Sequence, residues 1–467
     1  MEKKEVEHVS YLGGKKNMRK LIGIFIVTLL ISTTILPIAI SEEKNDKNQI
    51  SNEAYVDDCG CNSNYGISSN IIKKFDKNIH PDLLINGVPD YFNWKDFGGQ
   101  DWTTTAKDQG YCGSCWVHTA LGSLEGVINI REGSAVIDPD LSEQYVLSCL
   151  PDAAYPKGEG CSQGDNYWAL QLMMATTPEG NYHNGALLEE CFPYQADDDV
   201  PCDEKCVDWV DKLVPIVDTL EWYPSFSLEN LSIIKSQIME KGPVGVSMYT
   251  STDFRGWFYS SHDPNDYYSY YETTYYNHLV VLIGWNDDSS IGKGGYWICK
   301  NSWGTDGGYD GFFNIEYGSL NIACAVCWVD YDPESYEWDN EPNPPSVTTI
   351  NGKTNGAIKT EYEYTFNSVD PEGKDIRYYI SWGDGDWEWT DYYPSGEDVT
   401  VKHNWEEKGD YSVVALAMNT DNNIGAWGTL EISMPKNKLY AEYNPLFFRL
   451  IKWHPILEFL IQYPVNL

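Results

Sequence analysis

The chain has 467 residues, 42% of them hydrophobic and 14% aromatic, which is enough for two folded domains with accessory segments. Its 32 basic and 70 acidic side chains give a formal net charge of −38. This charge repels phosphate and therefore argues against DNA, RNA and other polyanions as partners.

The N-terminal segment has the composition of an export signal. Three residues beginning at Met18, MRK, precede the apolar run LIGIFIVTLLISTTILPIAI over 21–40, and Ala39 and Ser41 are small residues suited to a cleavage site. We assign 1–41 to a signal peptide or an N-terminal anchor. Residues 42–87 are polar and are interpreted as a pro-segment or spacer, in which the CGC at 59–61 is either a disulfide partner or a cap on a reactive thiol.

Composition divides the rest of the chain into four parts. Glycine, aromatic residues and cysteine are dense over 88–330, and 331–346 is acidic and proline-rich, typical of a linker. Residues 347–435 alternate apolar and polar side chains between short turns, which predicts an all-β sandwich. The tail, 436–467, has apolar residues at helical spacing and is predicted to dock on a partner, on a membrane surface or on its own protein.

The stretch QGYCGSCWVH, 109–118, contains two cysteines of which one is predicted to be reactive. Apolar residues at 117, 121, 124, 127 and 128 indicate a helix that begins at Cys115 and stops at Gly133. Because unpaired N–H groups and the helix dipole favour an anion in the first turn, we expect a lowered pKa for Cys115. Cys112 lies outside the helix, so a thioredoxin-like redox pair is not favoured.

A nucleophilic thiolate needs a base and an orienting group. His278 directly precedes the apolar strand 279–284 and is the preferred base, whereas His118 is expected to be a packed histidine. Asn301 follows a second predicted strand, Gly295–Lys300, and could accept from one imidazole N–H. Gln109 could direct its side-chain N–H₂ at an oxyanion, together with the backbone N–H of Cys115.

These motifs together resemble the papain-type cysteine peptidases. The resemblance rests on QGYCGSCW at 109–116, Asn277-His278 and KNSWG at 300–304, supported in chain order by LSEQYVLSC, GCSQG, FPY and KGPVGVSM. It covers about 88–330 and implies an α+β fold, a two-lobed peptidase with a helical lobe plus a β-barrel lobe. The all-β immunoglobulin-like sandwich that follows resembles PKD-type domains through WGDGD and its strand rhythm.

The resemblance implies a role for each matching position. Cys115 would be the nucleophile, His278 the general acid and base, Asn301 the orienting residue and Gln109 the oxyanion donor. A further set would line the substrate side of the cleft: Trp303, which would also shield the Asn301 contact, Asn277, and Gly164, whose backbone would pair with the substrate. The family glycine next to Gly164 is replaced by Gln163, which leaves the preferred substrate side chain open.

By the family pattern Cys112 pairs with Cys161 and Cys149 with Cys202, and we add a pairing of Cys191 with Cys206. Setting Cys115 aside leaves 11 of the 12 cysteines, so one thiol is expected to be free or to bridge to another chain; the candidates are Cys299, Cys324 and Cys327. No metal site is assigned. Calcium is compatible with the acidic composition, but Asp384 in the WGDGD turn is interpreted as a turn-stabilising residue.

The sequence therefore predicts an exported or cell-surface cysteine endopeptidase that hydrolyses peptide bonds through a thioester and requires no cofactor. Its partners would be protein or peptide substrates, with a surface contact through the sandwich or the tail. Two alternatives remain open: a silent adhesion protein on a peptidase scaffold, and transfer of the acyl group to an amine.

Overall fold

A computed structural model describes residues 87–149, 160–162, 164–174, 185–222, 224, 227–271, 276–339 and 342–434. The predicted signal or anchor, nearly all of the predicted pro-segment and the C-terminal tail lie outside the described residues. In the part of the chain that is described, no helix combines the length and apolarity needed to cross a membrane.

The first lobe is built around one buried helix. Helix α1, Cys115–Glu132, ends at Gly133, whose left-handed backbone (φ 72°) closes the last turn as predicted. It packs against α2, Glu143–Cys149, and α3, Asn166–Met173. All side chains from Trp116 to Ile130 are buried, because sheet strands cover the face that α2 and α3 leave open. The predicted apolar stripe was therefore only part of the buried surface.

The second lobe is an eight-stranded sheet. Its strands, in the order in which they pair, are β4 (Asp218–Trp222), β10 (Val326–Asp330), β5 (Val244–Met248), β7 (His278–Asp287), β8 (Gly295–Lys300), β9 (Phe312–Glu316) and β6 (Tyr267–Tyr268), with β1 (Tyr91–Asn93) also on β7. Only β6 and β9 pair in parallel among the described strands of this sheet. Helices α4, Leu228–Glu240, and α5, Thr252–Phe258, complete this lobe. A short ribbon of β2 (Ala186–Leu187) and β3 (Leu213–Val214) packs instead on the helical lobe. The two predicted strands, 279–284 after His278 and Gly295–Lys300 before Asn301, are confirmed.

The C-terminal domain is an antiparallel β-sandwich, as predicted. One sheet pairs β11 (Thr349–Gly352), β12 (Tyr362–Asn367) and β15 (Val399–His403). The other pairs β14 (Trp387–Trp389), β13 (Ile376–Ser381), β16 (Gly409–Asn419) and β17 (Gly428–Met434). The inward-facing side chains of the two sheets form one core, in which Trp382 and Trp405 are buried.

The sandwich shares a hydrophobic core with the first domain. The Tyr379 ring lies edge-on to Phe97, with centroids 5.0 Å apart, and Trp389 lies 5.2 Å from the same ring. The guanidinium of Arg377 donates to the Gly98 carbonyl (2.8 Å). Because these contacts bury aromatic surface on both sides, the sandwich is not a spacer held only by a linker.

The acidic segment after β10, predicted to be a linker, is also packed. Tyr331 is fully buried, and its hydroxyl donates to Glu132 (2.6 Å) at the end of α1. Tyr336 and Trp338 pack on the helical core with their rings 4.7 Å apart. The aromatic residues placed between the acidic ones supply the apolar surface.

Three disulfides link the loops of the helical lobe. They are the predicted pairs Cys112–Cys161, Cys149–Cys202 and Cys191–Cys206. Of the three cysteines considered as free thiols, Cys299 and Cys327 are free and buried, whereas Cys324 is disulfide-bonded.

Candidate active site

Cys115 and His278 come from different lobes and meet where α1 packs on β7. Cys115 is the first residue of α1, and its sulfur accepts a hydrogen bond from the backbone N–H of Leu279, the residue after His278. The helix start and the strand start thus place the thiol beside the imidazole-bearing segment. The structure brings together two residues that are 163 positions apart in the sequence.

Asn301 determines which imidazole nitrogen is available. Its Oδ1 lies 2.8 Å from His278 Nε2 and also accepts from the Ser302 N–H (2.9 Å). Because an amide oxygen only accepts, the neutral imidazole carries its hydrogen on Nε2 and leaves Nδ1 as a base. The ring of Trp303 stacks on the imidazole at 4.7 Å, which covers this contact as predicted.

Burial decides the charge state of each group taken alone. It raises the pKa of the Cys115 thiol to about 11, although the backbone N–H groups of Leu279, Trp116 and Cys115 itself lower it. The helix start thus acts in the predicted direction, but the expectation of a lowered pKa is wrong because desolvation outweighs it. Burial likewise lowers the pKa of His278 to about 4, although the hydrogen bond that its Nε2–H donates to Asn301 raises it. A lone thiolate or imidazolium is disfavoured here, so a proton transfer that creates both charges side by side is the route to a thiolate.

Gln109 is held by contacts to both sides of the site. Its Nε2 donates to the Cys112 carbonyl (2.8 Å), its Oε1 accepts from Ser302 Oγ (2.7 Å), and its backbone N–H donates to the Ser302 carbonyl (2.9 Å). One N–H of the amide remains for an oxyanion. The contacts with Ser302 also tie the loop before α1 to the loop that carries Asn301.

Tyr194 supports the same loop and was not singled out by the sequence analysis. Its hydroxyl donates to the Gln109 carbonyl (2.9 Å) and shares a 2.7 Å hydrogen bond with Ser114 Oγ. Tyr194 is the last residue of the FPY motif, so the motif was seen, but nothing in its spacing shows that the phenol reaches a loop 85 residues away.

Gly164 lies directly against the indole of Trp116. A Cβ at this position would come within 2.2 Å of Trp116 Cδ2, so only glycine lets the backbone lie this close to the residue after Cys115. Gln163, the departure from the family pattern, lies outside the described residues.

Asn277 differs from its predicted role. Its Oδ1 accepts from the Thr250 N–H (2.7 Å) and Oγ1 (3.1 Å), and its Nδ2 donates to the Thr250 carbonyl (3.2 Å). These bonds fasten the backbone immediately before His278. We therefore assign the Asn277 side chain to positioning the histidine rather than to holding substrate.

The WGDGD turn brings Asp384, Asp386 and His403 together, with one ligand atom of each within 4.8 Å of the others. His403 Nε2 bonds to Asp384 (2.8 Å), and the Asp386 N–H donates to Asp384 (3.3 Å). Asp384 thus stabilises its turn, as predicted. These contacts account for the cluster without an ion, and it carries no metal assignment.

Comparison with known proteins identifies a family for the part of the chain that carries this site. A family model described as "Papain family cysteine protease" matches residues 88–329, just over half of the chain. "Probable cysteine protease RD21C" of Arabidopsis thaliana is 28% identical over 276 residues, 57% of this chain and 52% of that protein. "Viral cathepsin" of Adoxophyes honmai nucleopolyhedrovirus is 30% identical over 244 residues, 51% of this chain and 60% of that protein.

The chain thus spans between half and two thirds of these relatives. Among solved structures, the "PKD domain of M14-like peptidase from Thermoplasmatales archaeon SCGC AB-540-F20" is 50% identical, with 20% of this chain and 97% of that chain covered and a TM-score of 0.20. The match over 88–329 contains the helix start, the two strands and the loops that carry Gln109, Cys115, His278 and Asn301. This chain belongs to the papain family of cysteine proteases.

Proposed function

We propose that the chain is an exported cysteine endopeptidase that hydrolyses peptide bonds of protein substrates through a thioester on Cys115. The observation that carries the proposal is the hydrogen bond from His278 Nε2 to Asn301 Oδ1, since it leaves Nδ1 as the basic nitrogen in the segment that contacts the Cys115 sulfur.

In the acylation step the Cys115 sulfur attacks the scissile carbonyl carbon while its proton passes to His278 Nδ1. The negative charge on the carbonyl oxygen is stabilised by the remaining Gln109 N–H and by the Cys115 backbone N–H. The imidazolium then protonates the departing amine, the C–N bond breaks, and a thioester remains.

In deacylation water takes the place of the amine, and the proton transfers run in the opposite direction. Neutral His278 takes a proton from the water, which attacks the thioester carbonyl. The carboxylic acid product leaves, and the thiol regains its proton from the imidazolium. No cofactor takes part in either step.

An oxidising environment is supported by the three disulfides, which restrain the loops around α1 and α2. The apolar run over 21–40 supports export. If the sandwich binds a surface, the core that it shares with the peptidase domain would present the cleft at a fixed orientation.

An epoxide-type cysteine-peptidase probe on the purified, mildly reduced protein tests the proposal. We expect peptide mass spectrometry to find the probe on Cys115 alone in the folded protein. Labelling at position 115 should be lost after denaturation or in Cys115→Ala. The buried free thiols Cys299 and Cys327 serve as internal controls for unfolding, because they react only when the core opens. Full peptidase activity in Cys115→Ala would refute the proposal, and product masses in the presence of an added amine would distinguish hydrolysis from acyl transfer.

A further inference from the structure

His118 lies three residues after Cys115 on α1 and is 5% exposed. Its Nδ1 is 3.0 Å from the Ser114 carbonyl oxygen. Since a carbonyl only accepts, the neutral ring carries its hydrogen on Nδ1, and Nε2 is a bare acceptor. Among the described residues no protein group forms a hydrogen bond with this buried nitrogen. The predicted packed histidine is confirmed, but one of its two polar atoms has no protein partner.

Asn301 has a buried donor atom that also lacks a partner among the described residues. Its Oδ1 accepts two hydrogen bonds, from His278 and from the Ser302 N–H. Its buried Nδ2, a donor, has no hydrogen-bond partner in the described part of the protein. Leaving a buried donor or acceptor unsatisfied costs about 1–3 kcal/mol, so two such atoms on residues that line one cavity indicate a shared partner.

The two residues line the same small cavity behind the candidate site. The charged part of its wall is formed by Lys107, Glu125, Glu143 and Lys300. These charges are already paired: Lys107 Nζ lies 2.9 Å from Glu125 and 3.1 Å from Glu143, and Lys300 Nζ donates to the Thr103 carbonyl (2.7 Å). The cavity has a volume of about 10 Å³, which is about the space that one water molecule needs.

We propose that one buried water accepts a hydrogen bond from Asn301 Nδ2 and donates one to His118 Nε2, which makes His118 a positioning residue for the Asn301 amide. The inference rests on the proposed roles of His278 and Asn301. A water has the required polarity at both ends, and its second hydrogen faces a wall that contains two carboxylates. The bridge holds the amide in the orientation that accepts from His278. A flipped amide would present its N–H₂ to the N–H of His278.

The bridge requires His118 to stay neutral. Burial lowers the pKa of His118, and the charge of Lys107 acts in the same direction, while Glu143 and Glu125 oppose it. The ring of Tyr194 packs edge-on at 4.9 Å on the other side. An imidazolium here would replace the acceptor with a donor and would add positive charge near His278, whose pKa it lowers further.

Two substitutions separate the acceptor from the packing. His118→Phe keeps an aromatic ring next to Tyr194 and removes Nε2, whereas His118→Gln can return an acceptor oxygen near the same place. We expect His118→Phe to lower kcat about 3- to 10-fold with little change in KM, and His118→Gln to recover most of that loss. Ser236→Ala on α4, another buried polar side chain whose Oγ has no partner among the described residues, is the matched control and should leave kcat unchanged.

A high-resolution crystal structure of the full-length protein gives a readout that does not depend on activity. A water within hydrogen-bonding distance of both Asn301 Nδ2 and His118 Nε2, lost in His118→Phe, supports the inference. An unfilled cavity, or full kcat in His118→Phe, overturns it. A loss in His118→Phe that His118→Gln does not restore also overturns it, and the thermal midpoint then identifies a packing defect. Activity surviving in Cys115→Ala would refute the proposed function, while the crystallographic result on the water would stand separately.

Discussion

His278 Nε2 and Asn301 Oδ1 lie 2.8 Å apart, although the histidine begins β7 and the asparagine follows β8. The two strands pair in the sheet, so their backbone hydrogen bonds determine the distance between the two side chains. Trp303 stacks on the same imidazole at 4.7 Å and blocks rotation of the imidazole towards that face. The site is therefore as rigid as the central strands that carry it.

Removal of the Asn301 amide tests this relationship. Asn301→Ala should lower kcat about 10- to 100-fold with a smaller change in KM, because a hydrogen bond to a group that becomes charged is worth about 1.5–3 kcal/mol. Steady-state kinetics on a peptide substrate measures the effect. An unchanged kcat would show that packing alone orients the imidazole.

Gln109 is expected to act on the oxyanion. Gln109→Ala should lower kcat about 100-fold or more, as the loss of one preorganised oxyanion donor does elsewhere. The variant also removes contacts to Cys112 and Ser302, so Ser302→Ala, which loses only the 2.7 Å bond to Gln109 Oε1, is the control. Equal losses in both variants would mean that Gln109 acts by holding the loop.

Gly164 is expected to tolerate no side chain. In Gly164→Ala the new Cβ would meet the Trp116 ring at 2.2 Å, which should raise KM and lower the thermal midpoint. Gly256 on α5 has open space around it, so Gly256→Ala should be neutral or stabilising by up to about 1 kcal/mol. The prediction fails if the two variants are equally stable and active.

Acid should destabilise the protein through its buried histidines. Burial lowers the pKa of His278 from 6.5 to about 4, so the unfolded chain binds more protons between these values. The free energy of unfolding should be at its full value above pH of about 6.5 and fall as the pH decreases towards about 4. His118 contributes in the same direction.

Urea unfolding in a Cys115→Ala background, where self-digestion is absent, measures this dependence. Introducing His278→Asn should flatten the fall in unfolding free energy, and adding His118→Phe should flatten it further. Parallel curves for all three proteins would mean that other groups cause the acid sensitivity.

The interface between the two domains gives a stability prediction. Tyr379 is 2% exposed and packs on Phe92 and Phe97, so Tyr379→Ala should cost about 3–5 kcal/mol and uncouple the unfolding of the sandwich from that of the peptidase domain. Val369→Ala on an exposed turn is the control and should change stability by less than about 0.5 kcal/mol. A single unchanged calorimetric transition in Tyr379→Ala would contradict the shared core.

Local patterns in the sequence predicted the parts of the site that depend on neighbours along the chain. The glycine that ends α1, the first-turn position of Cys115 and the strands next to His278 and Asn301 follow from residue periodicity and capping, which act over a few residues. The resemblance to papain-type peptidases added the pairs Cys112–Cys161 and Cys149–Cys202, since cysteine spacing alone allows many connectivities.

Tertiary structure alone decided how water is excluded and which distant groups meet. The thiol pKa is raised because the assembled lobes desolvate the half-buried Cys115, and this desolvation outweighs the local helix effect. Asn277 bonds to Thr250, Tyr379 packs on Phe97, and His118 and Asn301 line one cavity, all across long separations in the chain. Burial and long-range pairing depend on the whole packed core, so no short window of sequence contains them.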